Sequence, residues 1–305
     1  MTKPPKVIPE LVRSYKLEPT TYNITDLDTI LYALGIGFST DPMCEEDFKF
    51  TYELADGFTT FPTVSTVTNR FDLFKGLLNN PGLPRFNPMM LLHGEQTTEC
   101  FSPLPTSGKI INVPKVEDIQ DKGKGALLIV SQSTVDAETK ELYAKNTMRI
   151  FIRGIGGFGD KGKVPSLKFP KIPASREPTA EFQFKTRPDQ AILYRLNGDR
   201  NPLHISPDMA AMGNFERPIL HGLCFYGISA RAVYEKFCKG DVKNFKKFSA
   251  RFTSHVFPGE TLIIKMYKTG PGTLYVEART KERGKVVLVG LANYNDATPK
   301  LWVME

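Results

Sequence analysis

Tryptophan occurs once and histidine four times in these 305 residues, and none of the four cysteines stands in a CxxC pair. Cys44, Cys100, Cys224 and Cys238 therefore supply neither a zinc ribbon nor the disulfide framework of a small secreted domain, and they read as free thiols of a reducing compartment. No run approaches the roughly 20 apolar residues a membrane helix needs. The N-terminal MTKPPKVIPELVRSYKLEP has no apolar signal core, and the C-terminal LWVME is not an SKL-type peroxisomal address. The net charge of +7 comes from 40 Lys and Arg scattered among 33 acidic residues, with no basic arm and no aromatic RNA-binding signature. Neither a nucleic-acid nor a membrane partner is expected, and the mild positive surface suits an anionic small ligand or plain solvation.

What is present divides in two. The length allows one large domain or two of about 150 residues. Between 154 and 178 the chain reads GIGGFGDKGKVPSLKFPKIPASREP, where Gly, Lys and Pro displace any apolar periodicity. We read a linker between an N-terminal half, 1–153, and a C-terminal half, 179–305. Gly154, Gly156 and Gly159 follow a plausible strand with GxGxxG spacing, but a dinucleotide site needs a helix to open there, and Asp160-Lys161-Gly162-Lys163-Val164-Pro165 cannot open one. A flexible connector near a ligand mouth is the better expectation.

The halves look like diverged copies of one unit. DTILYALGIG (28–37) resembles QAILYRLNGD (190–199) at an offset of 162, and LLHGEQ (91–96) resembles ILHGLC (219–224) at an offset of 128. Duplication followed by divergence gives shared landmarks with unequal spacing. Where the second copy has Asn197-Gly198-Asp199, the first has Gly35-Ile36-Gly37.

In the second half, residues 219–238 form a breaker-poor stretch with Leu220, Leu223, Ile228, Val233 and Phe237 at helical spacing. ARFTSHVFP, TLIIKMYKTG, TLYVEARTKERG and KVVLVGLANYN follow as short strands separated by Gly and Pro turns. KIINVPKVEDI, ALLIVSQSTV and ELYAKNTMRIFIR repeat such strands in the first half, after a less regular middle at 57–90. The pattern predicts an α+β fold in which antiparallel sheet wraps a central helix.

The chemistry concentrates in YRLNGDRNPLHISP (194–207). Asn197-Gly198-Asp199 signals a turn and Asn201-Pro202 keeps the chain turning, so Asp199 and His204 fall on one tight loop. There a carboxylate and an imidazole can converge on a water, with Asn201 bonding the same water or the carboxylate. The same residues also suit a structural role, with Asp199 as a cap, Asn201-Pro202 shaping the turn and His204 a satisfied polar group. His221-Gly222 opens the long helix, where an N–H without an intrahelical acceptor and the positive end of the helix dipole favour a developing oxyanion. Gly222 equally permits close helix packing, and His221 equally serves as a cap.

GDRNPLHISPDMA (198–210), RPILHGLCFYG (217–227) and ARFTSHVFPGETL (250–262) together resemble the MaoC-type hydratase signature, and more closely the 2-enoyl-CoA hydratase 2 unit of peroxisomal multifunctional enzymes. The likeness continues through ILYALGIG, LHGEQ and RIFIRGIGGFG and covers nearly the whole chain. It implies a double hot-dog, two antiparallel sheets each wrapped around a helix, whose first repeat has lost the catalytic residues and accommodates the acyl chain. Carried over by position, it implies that Asp199 and His204 activate water, that Asn201 orients them, and that the Gly222 N–H holds the thioester oxygen. The implied reaction is hydration of trans-2-enoyl-CoA to (3R)-3-hydroxyacyl-CoA in fatty acid β-oxidation, by a homodimer, with no metal and no other cofactor.

For the CoA moiety, Arg251 matches the family pattern, and Gly157, Phe158, Gly159, Lys161, Lys163 and His221 are further candidates, each also explicable as turn, cap or solvated charge. Glu53 and Glu95 lie in family-like segments and are expected to be structural. The resemblance implies a peroxisomal enzyme, whereas the missing C-terminal address leaves a cytosolic one open, and no dehydrogenase or sterol-carrier segment is visible, so hydration alone is expected. A hot-dog thioesterase, which would release free CoA, and a non-catalytic acyl-CoA-binding protein are the alternatives.

Overall fold

A computed structural model describes residues 3–68 and 76–296. Its named helices are α1 (Pro9–Ser14), α2 (Asp26–Gly35), α3 (Phe48–Thr51), α4 (Gln190–Tyr194), α5 (Pro207–Met212) and α6 (Gly222–Phe237). The strands are β1 (Thr20–Ile24), β2 (Leu91–Cys100), β3 (Gly108–Asp121), β4 (Gly125–Asp136), β5 (Leu142–Arg153), β6 (Ala180–Lys185), β7 (Phe245–Phe252), β8 (Thr261–Gly270), β9 (Thr273–Thr280) and β10 (Val286–Tyr294).

The strands run antiparallel in the order β1-β3-β4-β5-β2-β7-β10-β9-β8-β6. Each half contributes five strands in the same order, and the hot-dog expectation is met with one refinement. The two sheets are one, joined edge to edge where Glu95–Glu99 of β2 pairs with Lys247–Arg251 of β7. Among the described residues only the second half holds a long helix. In the first half Pro62–Thr66 forms a short 3₁₀ turn, and residues 69–75 lie outside the described chain.

The pairing also re-registers the repeat. β2 occupies in the first half the place β7 occupies in the second, so LLHGEQ is strand while ILHGLC is helix entrance, and the 128-residue match is a coincidence of three letters. The 162-residue match is real. Tyr32 of α2 and Tyr194 of α4 face each other with ring centroids 6.3 Å apart, and a Cβ on Gly35 would stand 3.0 Å from the Asn197 side chain.

α6 is buried on every side from Leu223 to Tyr234, which explains why its apolar stripe is so wide. The sheet of the second half wraps one side, and α2 covers another. Gly227 is required there, since a Cβ would meet Ile36 Cγ2 at 2.5 Å. Arg231, the one buried cation of the helix, is paired with Asp47 and Glu235 and lies 4.4 Å over the Phe38 ring.

Beside an apolar core around Val12, Ile119, Leu128 and Ile150, the first half carries a buried row of polar groups. Tyr226 of α6 donates to Thr98 Oγ1 (2.9 Å) or the Phe248 carbonyl (2.8 Å), Asn146 accepts from Thr98 and Gln96, and the Asn146 amide reaches Ser65. Thr68 continues this chain to Asn112, which also accepts from Gln132 and Thr134. Each buried polar group in this row thereby finds a partner for at least one of its atoms, as burial demands.

The expected flexible connector is instead a pinned strap. Asp121 takes the N–H groups of Gly157 (3.0 Å) and Gly159 (2.6 Å), and Asp118 takes those of Lys163 and Val164 together with the side chains of Arg13 and Gln120. Beyond them Arg149 bonds the Pro165 carbonyl, Arg251 the Leu167 carbonyl, and Thr179 N–H the Met266 carbonyl. The segment lacks regular structure because its hydrogen bonds run to side chains, not because it has none.

Candidate active site

The short 3₁₀ turn Arg195–Asn197 ends on Gly198, whose φ of +106° reverses the chain with no Cβ to obstruct it. Asp199 follows, and its carboxylate accepts the Asn201 N–H at 3.3 Å. The Asn201 side chain caps the next turn, Pro202–His204, by accepting the Leu203 N–H at 3.1 Å. Two Asx interactions thus fold the five residues so tightly that His204 returns toward Asp199.

His204 Nδ1 lies 2.8 Å from the Ile219 carbonyl oxygen. A carbonyl can only accept, so Nδ1 carries the proton and Nε2 is the basic nitrogen of the neutral ring. His221 Nε2 lies 3.0 Å from the Asp199 carbonyl oxygen and by the same reasoning donates to it. The two imidazoles stack with centroids 3.7 Å apart and planes 27° from parallel. The His221 ring, almost wholly buried, also packs 5.1 Å from that of Tyr194.

His221 precedes α6 and gives it no side-chain cap; Gly222 is the first helical residue, so its N–H has no acceptor within the helix. A Cβ on Gly222 would meet only the Phe252 ring at 3.5 Å, an ordinary contact. Packing therefore does not demand glycine there, whereas it does at Gly227. The positive end of the central helix opens beside a carboxylate and a basic nitrogen.

One ligand atom each from Asp199, His204 and His221 lie within 4.8 Å of one another. The stacking argues against a shared metal, since near-parallel rings direct their in-plane lone pairs side by side and a tetrahedral ion needs them to converge.

The other expected residues lie elsewhere. Phe252 turns its ring to Gly222, so its neighbour Arg251 points to the opposite face of the sheet. There Arg251 pairs with Glu95 at 2.6 Å and lies 5.2 Å over the Phe169 ring of the strap. Glu95 is buried between Arg251 and Arg149, the latter 3.4 Å away, and is structural as expected. Gly157 and Gly159 have their amides occupied by Asp121, Phe158 packs against the first-half core, and Lys161 and Lys163 are exposed strap residues. Glu53 is exposed. Sequence reasoning treated His221 as a cap or CoA contact and missed its place against His204, because the two rings meet only through the fold.

Residues 22–154 match the MFE-2 hydratase 2 N-terminal domain, and residues 171–290 match the MaoC like domain. A probable enoyl-CoA hydratase 2 of Dictyostelium discoideum is 42% identical over 91% of this chain and 92% of its own length. The peroxisomal enoyl-CoA hydratase 2 of Arabidopsis thaliana is 38% identical over 96% and 97%. This chain belongs to the enoyl-CoA hydratase 2 family. Among larger members, the peroxisomal multifunctional enzyme type 2 of Mus musculus is 40% identical over 90% of this chain but only 37% of its own length. A crystal structure of a MaoC-like dehydratase from Phytophthora capsici superposes with a TM-score of 0.84 over 95% of this chain and 99% of that one, at 36% identity. The hydratase 2 family thus includes proteins of this size as well as units of longer enzymes.

Proposed function

We propose that this chain adds water reversibly to trans-2-enoyl-CoA, giving (3R)-3-hydroxyacyl-CoA, in fatty acid β-oxidation. The observation that carries the reading is the convergence of Asp199, His204 and the N-terminus of α6 at Gly222.

A conjugated thioester accepts a nucleophile at C3 and delivers the electron pair to its carbonyl oxygen. With that oxygen on the Gly222 N–H, the developing enolate meets a fixed donor and the helix dipole, a kind of arrangement that contributes about 3–4 kcal/mol to a transition state. His204 Nε2 takes a proton from a water that the Asp199 carboxylate orients, the hydroxyl adds to C3, and one proton returns to C2. Water is consumed whole and the protein ends as it began, so the chemistry asks for no metal or redox cofactor. Asn201 shapes the loop that holds the pair, and His221 ties the loop to the helix.

The first half, which has Gly35-Ile36-Gly37 where the second has Asn197-Gly198-Asp199, supports the helix and accommodates the acyl chain. A homodimer working in the peroxisome completes the reading, in keeping with the relatives whose names place them there.

The test is the fall in enoyl-thioester ultraviolet absorbance with a medium-chain trans-2-enoyl-CoA, coupled to (3R)- and (3S)-specific dehydrogenases. Cofactor reduction by the (3R) enzyme alone is the expected result. Release of free CoA thiol would mark a thioesterase, and saturable binding without any absorbance change would mark a carrier.

A further inference from the structure

A second cluster begins where the active site ends. Ile219, which holds His204, is followed by Leu220, whose N–H donates to the Val256 carbonyl at 2.7 Å. The segments that carry Arg217 and Phe257 therefore meet at Leu220 and Val256, two residues before Gly222. The exposed Arg217 places its guanidinium 4.6 Å from the centroid of the buried Phe257 ring, and Arg283 lies 4.9 Å from the same centroid.

The two arginines differ in what compensates them. Arg283 forks onto the buried Glu260 carboxylate through Nε and Nη2, reaches His255 Nε2 with Nη1 (3.2 Å) and bonds the His255 carbonyl. Glu260 also accepts the Phe257 N–H at 2.8 Å, so both its oxygens are occupied. Among the described residues no carboxylate forms an ion pair with Arg217. Lys285 and Glu216 complete the charges acting on His255, whose pKa is lowered by burial first and by Arg283 next. Three cations against two carboxylates leave the corner positive, and Arg217, which is held on an aromatic ring, is one of the two with no carboxylate partner among the described residues.

We infer that Arg217, seated on Phe257, binds a phosphate of the CoA moiety, so that the protein reads the nucleotide end of its substrate as well as the thioester. This rests on the proposed hydration of an acyl-CoA. A planar, always-charged fork with its rotamer fixed by stacking is the side chain suited to a phosphate. Five Cα–Cα steps lead from Arg217 to Gly222, a reach of at most about 18 Å, and a pantetheine arm bridges a gap of that order between thioester and pyrophosphate.

The experiment compares wild type, Arg217→Gln and Arg217→Lys on three thioesters of one enoyl group: CoA, 3′-dephospho-CoA and pantetheine. The Gln variant is expected to raise KM for enoyl-CoA roughly tenfold with kcat unchanged and to leave enoyl-pantetheine kinetics untouched, and the Lys variant, which keeps the charge but not the stacked fork, to recover only part of the loss. A variant effect that disappears on the dephospho thioester puts the 3′-phosphate at Arg217, and one that persists there puts the pyrophosphate at it. An equal loss on enoyl-pantetheine, or an unchanged KM for enoyl-CoA, overturns the inference. Calorimetric binding of free CoA separates this site from the reaction: weaker binding to Arg217→Gln upholds the site even if no thioester is hydrated, and equal binding refutes it.

Discussion

His204 and His221 stack 3.7 Å apart, and each ring is fixed by a carbonyl that belongs to the other's segment: Ile219 O from the helix approach holds His204, and Asp199 O from the loop holds His221. Loop and helix entrance are therefore cross-tied at the point where the reaction is proposed to occur. Neither can shift without moving a ring of the other.

Removing the reactive groups and removing the tie should have different signatures. Asp199→Asn keeps shape and still accepts the Asn201 N–H, so we expect an unchanged melting temperature with kcat lowered by roughly 10²–10⁴, whereas His204→Gln loses the base together with the ring stack and the bond to Ile219 O and should lower kcat as much and the melting temperature as well. His221→Phe keeps the stacked ring but loses one hydrogen bond of about 1 kcal/mol, so the expected loss is far smaller and is shared between kcat and stability. Full activity in both the Asp199 and His204 variants would remove the mechanism.

The donor at Gly222 can be deleted without deleting a side chain. Proline is tolerated at the first position of a helix, and His221, at φ −57° and ψ 134°, already has the conformation a following proline requires. Gly222→Pro should fold and lose about 10²–10³ in kcat for want of the N–H. Gly222→Ala retains the donor and meets only Phe252 at 3.5 Å, so it should keep most of its activity. Equal kinetics for the two variants would mean that the amide takes no part.

At the seam, Glu95 stands buried between Arg149 and Arg251, and both arginines also hold the strap. Glu95→Ala strands one buried guanidinium and frees the other, and we expect a loss of about 3 kcal/mol, read as a lower urea midpoint. A variant as stable as wild type would show the cluster to be incidental.

Asp118 contributes to the strap's pH dependence, beside Asp121 and Asp160, whose carboxyls are also held below the ordinary value by backbone N–H groups of the strap. Burial pushes the Asp118 carboxyl up, but the N–H groups of Val164 and Lys163 and the side chains of Gln120 and Arg13 outweigh burial and hold it at about 2, below the ordinary 3.8. Because the folded value is depressed, its contribution is complete above the ordinary pKa and is lost as pH falls from about 4 through about 2. Acid titration should show strap release in that window, and Asp118→Asn should flatten the response while lowering stability at neutral pH.

Much of this was legible in the chain because apolar alternation and Gly-Pro punctuation reported the folded state directly; TLIIKMYKTG is β8 residue for residue. The tight loop was legible too, since Asn-Gly-Asp and Asn-Pro are local geometry. β2 was not, because its inward residues are Gln96 and Thr98, partners in a buried hydrogen-bond row instead of an apolar face. His93-Gly94 misled for the same reason: the pairing register slips between His93 and Glu95 in a strand, while His221-Gly222 starts a helix, and one dipeptide serves both. The stacking of His204 on His221 depends on helix α6 being clasped between the halves, which no local signal encodes.

The β2–β7 seam gives the duplication a meaning beyond lost chemistry. Cut at the strap, each half would end in an open strand whose backbone groups seek a partner, and the catalytic half would aggregate or recruit a stranger. Joined in one chain, the partner is always present at an effective concentration that dilution does not change. The first half is in this sense a permanent partner, supplied with every copy of the second.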